Sequence, residues 1–206
     1  MMYNKPMINF SWLELKPNIV KGGNQEEFEE YYSRIEKEIY YNHIPKSVFE
    51  EWIHAHHYKI ETIRNYAWMD YRKISFEITS LNTNELIHAY IVKNYSDCVN
   101  DLHKAKTFSD FRMQPIDLDH WKLQGTWRTP PIVLDINSLP SIPNHSDISR
   151  KHKYQLVEGH TRFGYLISLL KMSQKEGVHI NDQHDVYLMK YNEKQIRESN
   201  RSCQCK

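Results

Sequence analysis

The sequence predicts a mixed fold of the α+β or α/β class, with a helical extension on its N-terminal side. In the first half, apolar residues recur at three- and four-residue steps, as they do in amphipathic helices. After about Phe108, prolines and short β-branched runs replace this period. We therefore predict a tail over 1–24, a helical region over 25–107, an α/β domain over 108–191 and a polar tail over 192–206.

The first 24 residues predict a tail or a short strand with turns, because Pro6, Pro17 and the Gly22-Gly23 pair interrupt them. A first helix is expected from Gln25, where the following apolar residues fall at helical spacing: Phe28, Tyr31, Tyr32, Ile35 and Ile39. A second helix is expected to begin at Pro45, a favourable first-turn residue, and helical character continues to Ala67.

Residues 73–78 fit a helix or a short strand equally well. A further helix that carries Leu86 to Ile91 is expected after a cap at Thr83 or Asn84. The helical region therefore ends on a less regular pattern than the one on which it begins.

The second half begins its regular pattern with Pro131 to Ile136, a nearly continuous apolar run typical of a strand buried on both faces. A polar, proline-containing loop is predicted over 137–149. A second strand is expected over 154–157, and a third over 184–191. Between them, Gly159 ends the second strand, and the apolar period from Arg162 to Met172 predicts a helix whose end Gly177 fits.

The composition excludes several classes of protein. The chain has 27 Lys and Arg against 26 Asp and Glu, a formal net charge of +1, which disfavours a strongly basic nucleic-acid binder. It contains no apolar run of roughly 18 residues, and residues 1–15 lack the apolar core of a secretory signal. Three cysteines build no disulfide framework, and Cys203 and Cys205 are expected to be reduced thiols. We therefore expect a cytoplasmic protein without a membrane partner.

The segment that carries chemistry is Glu158-Gly159-His160-Thr161-Arg162, where a strand gives way to a helix. The free backbone amides of a first helical turn, together with the helix dipole, attract anions. Gly159 permits a sharp turn and a close approach, and the Arg162 guanidinium matches phosphate oxygens. Thr161 supplies a hydroxyl or a cap, and His160 a further donor or a base. The pattern predicts a phosphate site, although a plain turn with Arg162 bonded to a carboxylate fits it too.

This turn, together with the upstream Pro130-Pro131-Ile132-Val133-Leu134, resembles the signature of the ParB/sulfiredoxin superfamily. The resemblance covers roughly Phe108 to Tyr191. Sulfiredoxins carry a catalytic cysteine where this chain has His160, so the resemblance does not extend to their chemistry. Chromosome-partitioning ParB proteins carry a DNA-binding domain for which the residues after Tyr191 are too few. The turn is most similar to the Asp-Gly-His-Thr-Arg turn of the free serine kinases, with Glu158 in place of the aspartate.

The resemblance implies that Gly159, His160, Thr161 and Arg162 bind the phosphates of ATP, ADP or CTP, and that the protein is a phosphotransferase or an NTPase. It also implies a carboxylate that holds Mg²⁺ or accepts the acceptor's proton. The candidates are Glu158, Asp117, Asp119 and Asp135, and His160 is a further catalytic candidate. Trp121 and Trp127 are candidates to line the nucleotide pocket or to belong to the core.

Two other functions stay open. The protein would be a non-catalytic regulatory or interaction module if it kept the fold without the chemistry, with the helical region as the surface for a protein partner or a second copy. It would be a DNA-binding or nuclease-like protein if a local basic patch outweighed the near-zero net charge. Glu51 with His54, and Glu85 with His88, have metal-ligand spacing, but such pairs are expected by chance and we predict no protein metal centre.

Overall fold

A computed structural model of the protein describes residues 7–176 and 178–193. This part of the chain has a mixed α and β fold with eight α-helices and a four-stranded sheet. The helices are α1 Phe10–Glu14, α2 Phe28–Ile35, α3 Lys46–Val48, α4 Ile60–Tyr66, α5 Thr83–Ile87, α6 Lys93–Leu102, α7 Pro115–Gln124 and α8 His160–Glu176. The strands are β1 Ile74–Asn82, β2 Ile132–Asp135, β3 Tyr154–Glu158 and β4 Gln183–Tyr191, in the sheet order β1-β4-β2-β3.

The described chain divides into two compact units. The first contains the described residues up to Phe76, Asn137–Ile148, and the described residues from Met189 onward. The second contains Glu77–Ile136 and Ser149–Leu188. The boundaries predicted from the sequence, before residues 25, 108 and 192, stay predictions. The predictions on Pro6, Gly177, Cys203 and Cys205 lie outside the described residues.

Helix α1 corrects the prediction of a tail or strand for the first residues. The Asn9 side chain accepts a hydrogen bond from the Ser11 backbone N at 3.0 Å and so caps the helix. Trp12 and Leu15 are fully buried and anchor the short helix in the first unit. The sequence gives little sign of this because only one turn of helix carries both the cap and the apolar anchors.

The predicted helices of the first unit are confirmed with different limits. α2 begins at Phe28 rather than Gln25. Pro45 is the N-cap of α3, and a π-helical turn over Phe49–His54 follows directly. The core of this unit is aromatic: Trp12, Trp52 and Tyr71 pack with ring centroids 5.2 to 6.2 Å apart.

Residues 73–78 fit either state in the sequence: Lys73 ends a short 3-10 turn, and residues 74–78 belong to the nine-residue strand β1. The cap after it is Asn82, not Thr83 or Asn84: its side chain accepts from the Glu85 backbone N at 2.8 Å, and the Glu85 carboxylate bonds back to Asn82. α5 ends at Ile87, so the predicted helix over Leu86 to Ile91 is only partly correct. Tyr90 bonds instead to the backbone of β3.

The second unit contains the strands and the helix that surround the predicted turn. β2 and β3 pair antiparallel, with Val133 opposite Leu156. β2 is buried on both faces as predicted, and β3, predicted only as a strand, is buried on both faces as well. The third predicted strand is confirmed as β4. α8 begins at His160, two residues before the predicted start at Arg162. The core of this unit consists of apolar residues from strands and helices, including Leu86, Val99, Trp121, Leu156, Phe163, Leu166 and Val186.

Candidate functional site

Gly159 sets the geometry of the turn between β3 and α8. Its φ of +93° lies in the left-handed region that favours glycine. A Cβ at this position would stand 2.5 Å from the Pro131 Cβ, closer than two carbons can approach. The Phe163 backbone N donates to the Gly159 carbonyl at 2.9 Å and so begins the helix at this residue. The strand, the turn and the helix thus fix the positions of His160, Thr161 and Arg162.

Arg162 forms an ion pair with Glu158, one helical turn earlier in the chain. The two side chains are 21% and 15% exposed, so the pair is shielded from water on most sides. The bonded-carboxylate alternative from the sequence is therefore present in the structure. It does not remove Arg162 from the surface, because Arg162 also lines a cleft of the second unit.

This cleft, which we call the arginine cleft, has a volume of about 480 Å³. Its walls come from the segment before α7, from α7 itself, from the segment before β2 and from the first turns of α8. The lining residues are Arg112, Met113, Gln114, Asp117, Trp121, Trp127, Arg128, Thr129, Thr161, Arg162 and Tyr165. Every one of them belongs to the second compact unit.

The arginine cleft is positively charged. Three arginines and one aspartate line it, which gives the lining a formal charge of +2. The Arg128 Nε donates to the Asp117 Oδ1 at 2.7 Å, in a pair whose side chains are 47% and 33% exposed. The Arg112 backbone N donates to the Tyr165 hydroxyl at 2.7 Å, which ties the segment before α7 to α8. Arginines from three parts of the chain therefore line one cleft together with Thr161 of the first turn of α8.

The apolar part of the cleft is aromatic. The rings of Trp121 and Trp127 meet edge to face, with centroids 5.9 Å apart, and both line the cleft. The Trp127 indole N donates to the Asp185 carbonyl at 2.6 Å, which fixes its ring. Both tryptophans are buried in the core, which is the alternative that the sequence left open, and both also border the cleft. That they line a nucleotide pocket stays a prediction.

His184 lies behind this tryptophan pair. Its ring centroid is 4.9 Å from that of Trp127, and its Nδ1 lies 2.8 Å from the Thr126 hydroxyl. Burial lowers the pKa of His184 to about 4. The imidazole is therefore neutral at pH 7 and adds no charge to the arginine cleft.

The structure brings together three of the predicted site residues: Asp117, Thr161 and Arg162 all line the arginine cleft. Thr161 is exposed there and has its hydroxyl available at the first turn of α8. Gly159 is buried and lies outside the cleft lining, where it allows the turn between β3 and α8. A phosphate site at this turn stays a prediction.

The other predicted residues lie outside the cleft lining. The His160 ring stacks on Tyr95 of α6, with centroids 4.2 Å apart. Asp119 is exposed and lies 3.9 Å from Lys122 on the same helix. Asp135 is the last residue of β2. Glu158 forms an ion pair with Arg162, which does line the cleft.

The sequence reasoning missed Arg112, Arg128 and Thr129, which supply most of the additional polar lining. Each stands within three residues of a proline that begins an element, Pro115 at α7 or Pro131 before β2. Such positions before a structured element are surface loops next to fixed scaffolds, where binding residues concentrate. The nearby prolines are visible in the sequence, but they do not show that Arg112, Arg128 and Thr129 line the same cleft.

A metal held by the protein alone has no candidate among residues 7–176 and 178–193, where no group of three or more His, Cys, Asp or Glu comes together. Asp117 nevertheless fits a Mg²⁺ ion that arrives with phosphates, because Mg²⁺ in such sites needs one or two carboxylates besides the phosphate oxygens.

In the part of the chain that the structure describes, no helix is long and apolar enough to cross a membrane. Comparisons with protein-family models, curated proteins and solved structures found no match to this chain.

Proposed function

We propose that the protein binds the phosphates of a nucleotide in the arginine cleft and that its second half is a ParB/sulfiredoxin-like domain. The observation that carries the proposal is that Arg112, Arg128 and Arg162 line one cleft together with Thr161 of the first turn of α8. Guanidinium groups bind phosphate oxygens through paired, charge-assisted hydrogen bonds. A helix N-terminus adds the positive end of its dipole.

The size and the walls of the cleft agree with a nucleotide. About 480 Å³ lies within the range of roughly 300–1,000 Å³ that small-molecule sites occupy. Such sites combine apolar and aromatic walls with a few well-placed polar groups. Here Trp121, Trp127 and Tyr165 supply the walls, and the arginines and threonines supply the polar groups.

The reaction that suits this arrangement is phosphoryl transfer to a hydroxyl or to water. The bond between the terminal phosphorus and its bridging oxygen breaks, a bond from phosphorus to the attacking oxygen forms, and the attacking group loses its proton. The arginines would stabilise the charge on the transferring group. Mg²⁺, when bound with the nucleotide, neutralises part of the phosphate charge.

Asp117 is the carboxylate in the described lining, and it suits either of two tasks. It would hold the Mg²⁺ beside the phosphates, or it would accept the proton of the attacking hydroxyl. For either task, Arg128 must exchange its ion pair with Asp117 for one with a ligand phosphate. An ion pair this exposed contributes at most about 1 kcal/mol, so the exchange is inexpensive.

The proposal predicts that ATP, ADP, CTP or GTP raises the melting temperature of the protein and that Arg162→Gln and Arg128→Gln each reduce the rise. A ligand at about 100 times its Kd stabilises the folded state by about 2.7 kcal/mol, which a thermal-shift measurement detects easily. Each variant is compared with its own unliganded form, because Arg162→Gln also breaks the ion pair with Glu158. Arg150→Gln is the matched control, since Arg150 is exposed and outside the cleft lining. A rise of the same size in both cleft variants as in the parent chain contradicts the assignment.

Asp117→Asn separates the two tasks of the carboxylate. If Asp117 holds Mg²⁺, the substitution removes the Mg²⁺-dependent part of the thermal shift. If it accepts the proton, binding is retained while phosphate release falls by about 100-fold or more. Nucleotide binding without phosphate release or transfer to any hydroxyl compound would favour the regulatory alternative.

A further inference from the structure

A second pocket lies in the same compact unit and shares no lining residue with the arginine cleft. It has a volume of about 690 Å³. One wall comes from the end of α5 and the residues after it, up to Ile91, and the other from residues 151–154 at the start of β3. We call it the Tyr90 pocket.

The two walls are fixed to each other. The Tyr90 backbone N donates to the Tyr154 carbonyl at 2.8 Å, and the Leu156 backbone N donates to the Tyr90 carbonyl at 2.9 Å. The Lys153 Nζ lies 3.1 Å from the Glu85 Oε1 and joins the side chains across the gap. The pocket is therefore part of the ordered backbone of β3 and its neighbour, and not a gap between unconnected loops.

Aromatic rings form one surface of the Tyr90 pocket. The Tyr90 and His152 rings stack with centroids 5.0 Å apart and an interplanar angle of 29°. Both residues are half-buried and line the pocket, so part of the stacked pair is accessible from inside it. A flat ring of a ligand can extend such a stack, and stacking of this kind is largely independent of the ring's identity.

The pocket also carries positive charge. Lys151 and Lys153 line it together with Glu85, which leaves a formal charge of +1 with the histidines neutral. The Glu85 carboxylate is occupied, because it accepts from the Asn82 side chain at 2.9 Å and pairs with Lys153. A hydrogen bond with Tyr154 and then the pair with Glu85 raise the pKa of Lys153, so its charge persists at every physiological pH. Lys151 is exposed and makes no ion pair within the described residues.

We propose that the Tyr90 pocket is a second binding site, for a small planar aromatic anion: a ring that carries a phosphate or a carboxylate. The ring stacks on the Tyr90–His152 pair, and the anionic group reaches Lys151. Neither element is sufficient alone, since the aromatic surface is small and the cations are exposed to water. The combination predicts that binding needs both the ring and the charge on one molecule.

The test is a titration of the full chain followed by backbone amide NMR at residues 87–91 and 151–154. The probes are adenosine 5′-monophosphate, adenosine without the phosphate, ribose 5-phosphate without the ring, and 4-hydroxybenzoate. We expect both aromatic anions to shift these amides with a Kd at least about tenfold lower than that of adenosine or ribose 5-phosphate. The stronger of the two aromatic anions identifies the natural source as phosphate or carboxylate.

Two variants locate the binding. Tyr90→Leu keeps the backbone hydrogen bonds but removes the ring, and Lys151→Gln removes the unpaired charge. Each is expected to weaken aromatic-anion binding about tenfold, while Tyr40→Leu and Lys93→Gln, exposed residues outside the pocket lining, leave it unchanged. Lys151→Gln keeps the test valid even if Tyr90→Leu does not fold, since Lys151 is exposed.

Three results would overturn the proposal: ribose 5-phosphate binding as tightly as the aromatic anions, adenosine doing so, or no amide shift at millimolar probe. Arg162→Gln distinguishes this site from the arginine cleft. Shifts at residues 87–91 that persist in that variant belong to the Tyr90 pocket, and shifts that disappear with Arg162 contradict it.

Discussion

A single missing side chain, that of Gly159, determines whether the turn into α8 can form. Any other residue at this position would destabilise the fold in two ways: through the positive φ, and through the 2.5 Å approach of its Cβ to the Pro131 Cβ. Gly23 is a control for the first effect alone, because its φ is also positive, at +83°, but no atom lies within 4 Å of an added Cβ.

We therefore predict that Gly159→Ala lowers the free energy of unfolding by more than Gly23→Ala does. The backbone strain alone costs about 1–2 kcal/mol, and the clash at Gly159 adds about 1–3 kcal/mol more. Urea unfolding of the two variants and the parent chain measures the difference. Equal losses would mean that Pro131 moves aside without cost, and that the turn is less tightly fixed than its geometry indicates.

The residues of the site could be predicted from the sequence only where chemistry and local structure coincide. Thr161 and Arg162 were identifiable because a strand, a glycine and a helix adjoin them in the chain. Asp117 was one of several carboxylates, and nothing in the sequence ranks it above Asp119, which is exposed and paired with Lys122. Arg112 and Arg128 reach the cleft through tertiary folding, so no local pattern could identify them.

The packing of α6 on α8 depends on a second glycine. A Cβ at Gly164 would lie 2.7 Å from the Leu102 Cβ, so the two helices touch where Gly164 has no side chain. The Ser168 hydroxyl donates to the Leu102 carbonyl at 2.7 Å one turn further along α8. The same pair of helices brings the His160 ring against Tyr95. Close approach of these two elements therefore also fixes a residue of the candidate turn.

We predict that Gly164→Ala destabilises the protein by about 1–3 kcal/mol, because the added Cβ overpacks the contact between α6 and α8. The clash involves the Leu102 side chain as well as its Cβ, and truncation to alanine removes its two nearest outer atoms. The double variant Gly164→Ala/Leu102→Ala is thus expected to lose less stability than the sum of the single variants. A double-mutant cycle from thermal or urea unfolding measures this coupling. Strict additivity would show that the outer atoms of Leu102 contribute nothing to the clash.

Elements with a strong apolar pattern were predictable, and those held by tertiary contacts were not. β2, β3 and β4 have short, clearly bounded apolar runs, and α8 has a long one. α7 was missed because polar and apolar residues are spread around it, with Ile116 and Leu123 exposed and Trp121 buried. β1 fitted two states because its burial does not alternate regularly along its length.

Across the whole molecule, each compact unit buries a histidine in its neutral form. In the first unit His57 stacks on Trp12 at 4.4 Å, and its Nε2 lies 2.8 Å from the Trp12 carbonyl. In the second unit His184 lies behind Trp127. Burial lowers the pKa of each to about 4, from an ordinary value of 6.5. In the unfolded chain both would take up a proton first as the pH falls.

The protein is therefore expected to lose stability on acidification from pH 6.5 toward pH 4, whereas the contribution is fully present above pH 6.5. At pH 5 the loss is about 2 kcal/mol for each of these histidines, by linkage between protonation and unfolding. Urea unfolding at pH 7.5 and pH 5.0 measures it, and His57→Gln should reduce the difference by about 2 kcal/mol. Other histidines whose pKa burial lowers, among them His56, contribute to the remaining loss. NMR titration gives an independent check, since neither imidazole should take up a proton above pH 5. An unchanged free energy of unfolding between the two pH values would contradict the neutral burial of these rings.

The chain passes from one compact unit to the other four times, after residues 76, 136, 148 and 188. Neither body can consequently be released by one protease cut or cloned as one uninterrupted fragment. To isolate the unit that contains both pockets, residues 77–136 and 149–188 would have to be joined through an artificial linker in place of 137–148. For the same reason, a single recombination point could not exchange one of these units for a unit of another protein.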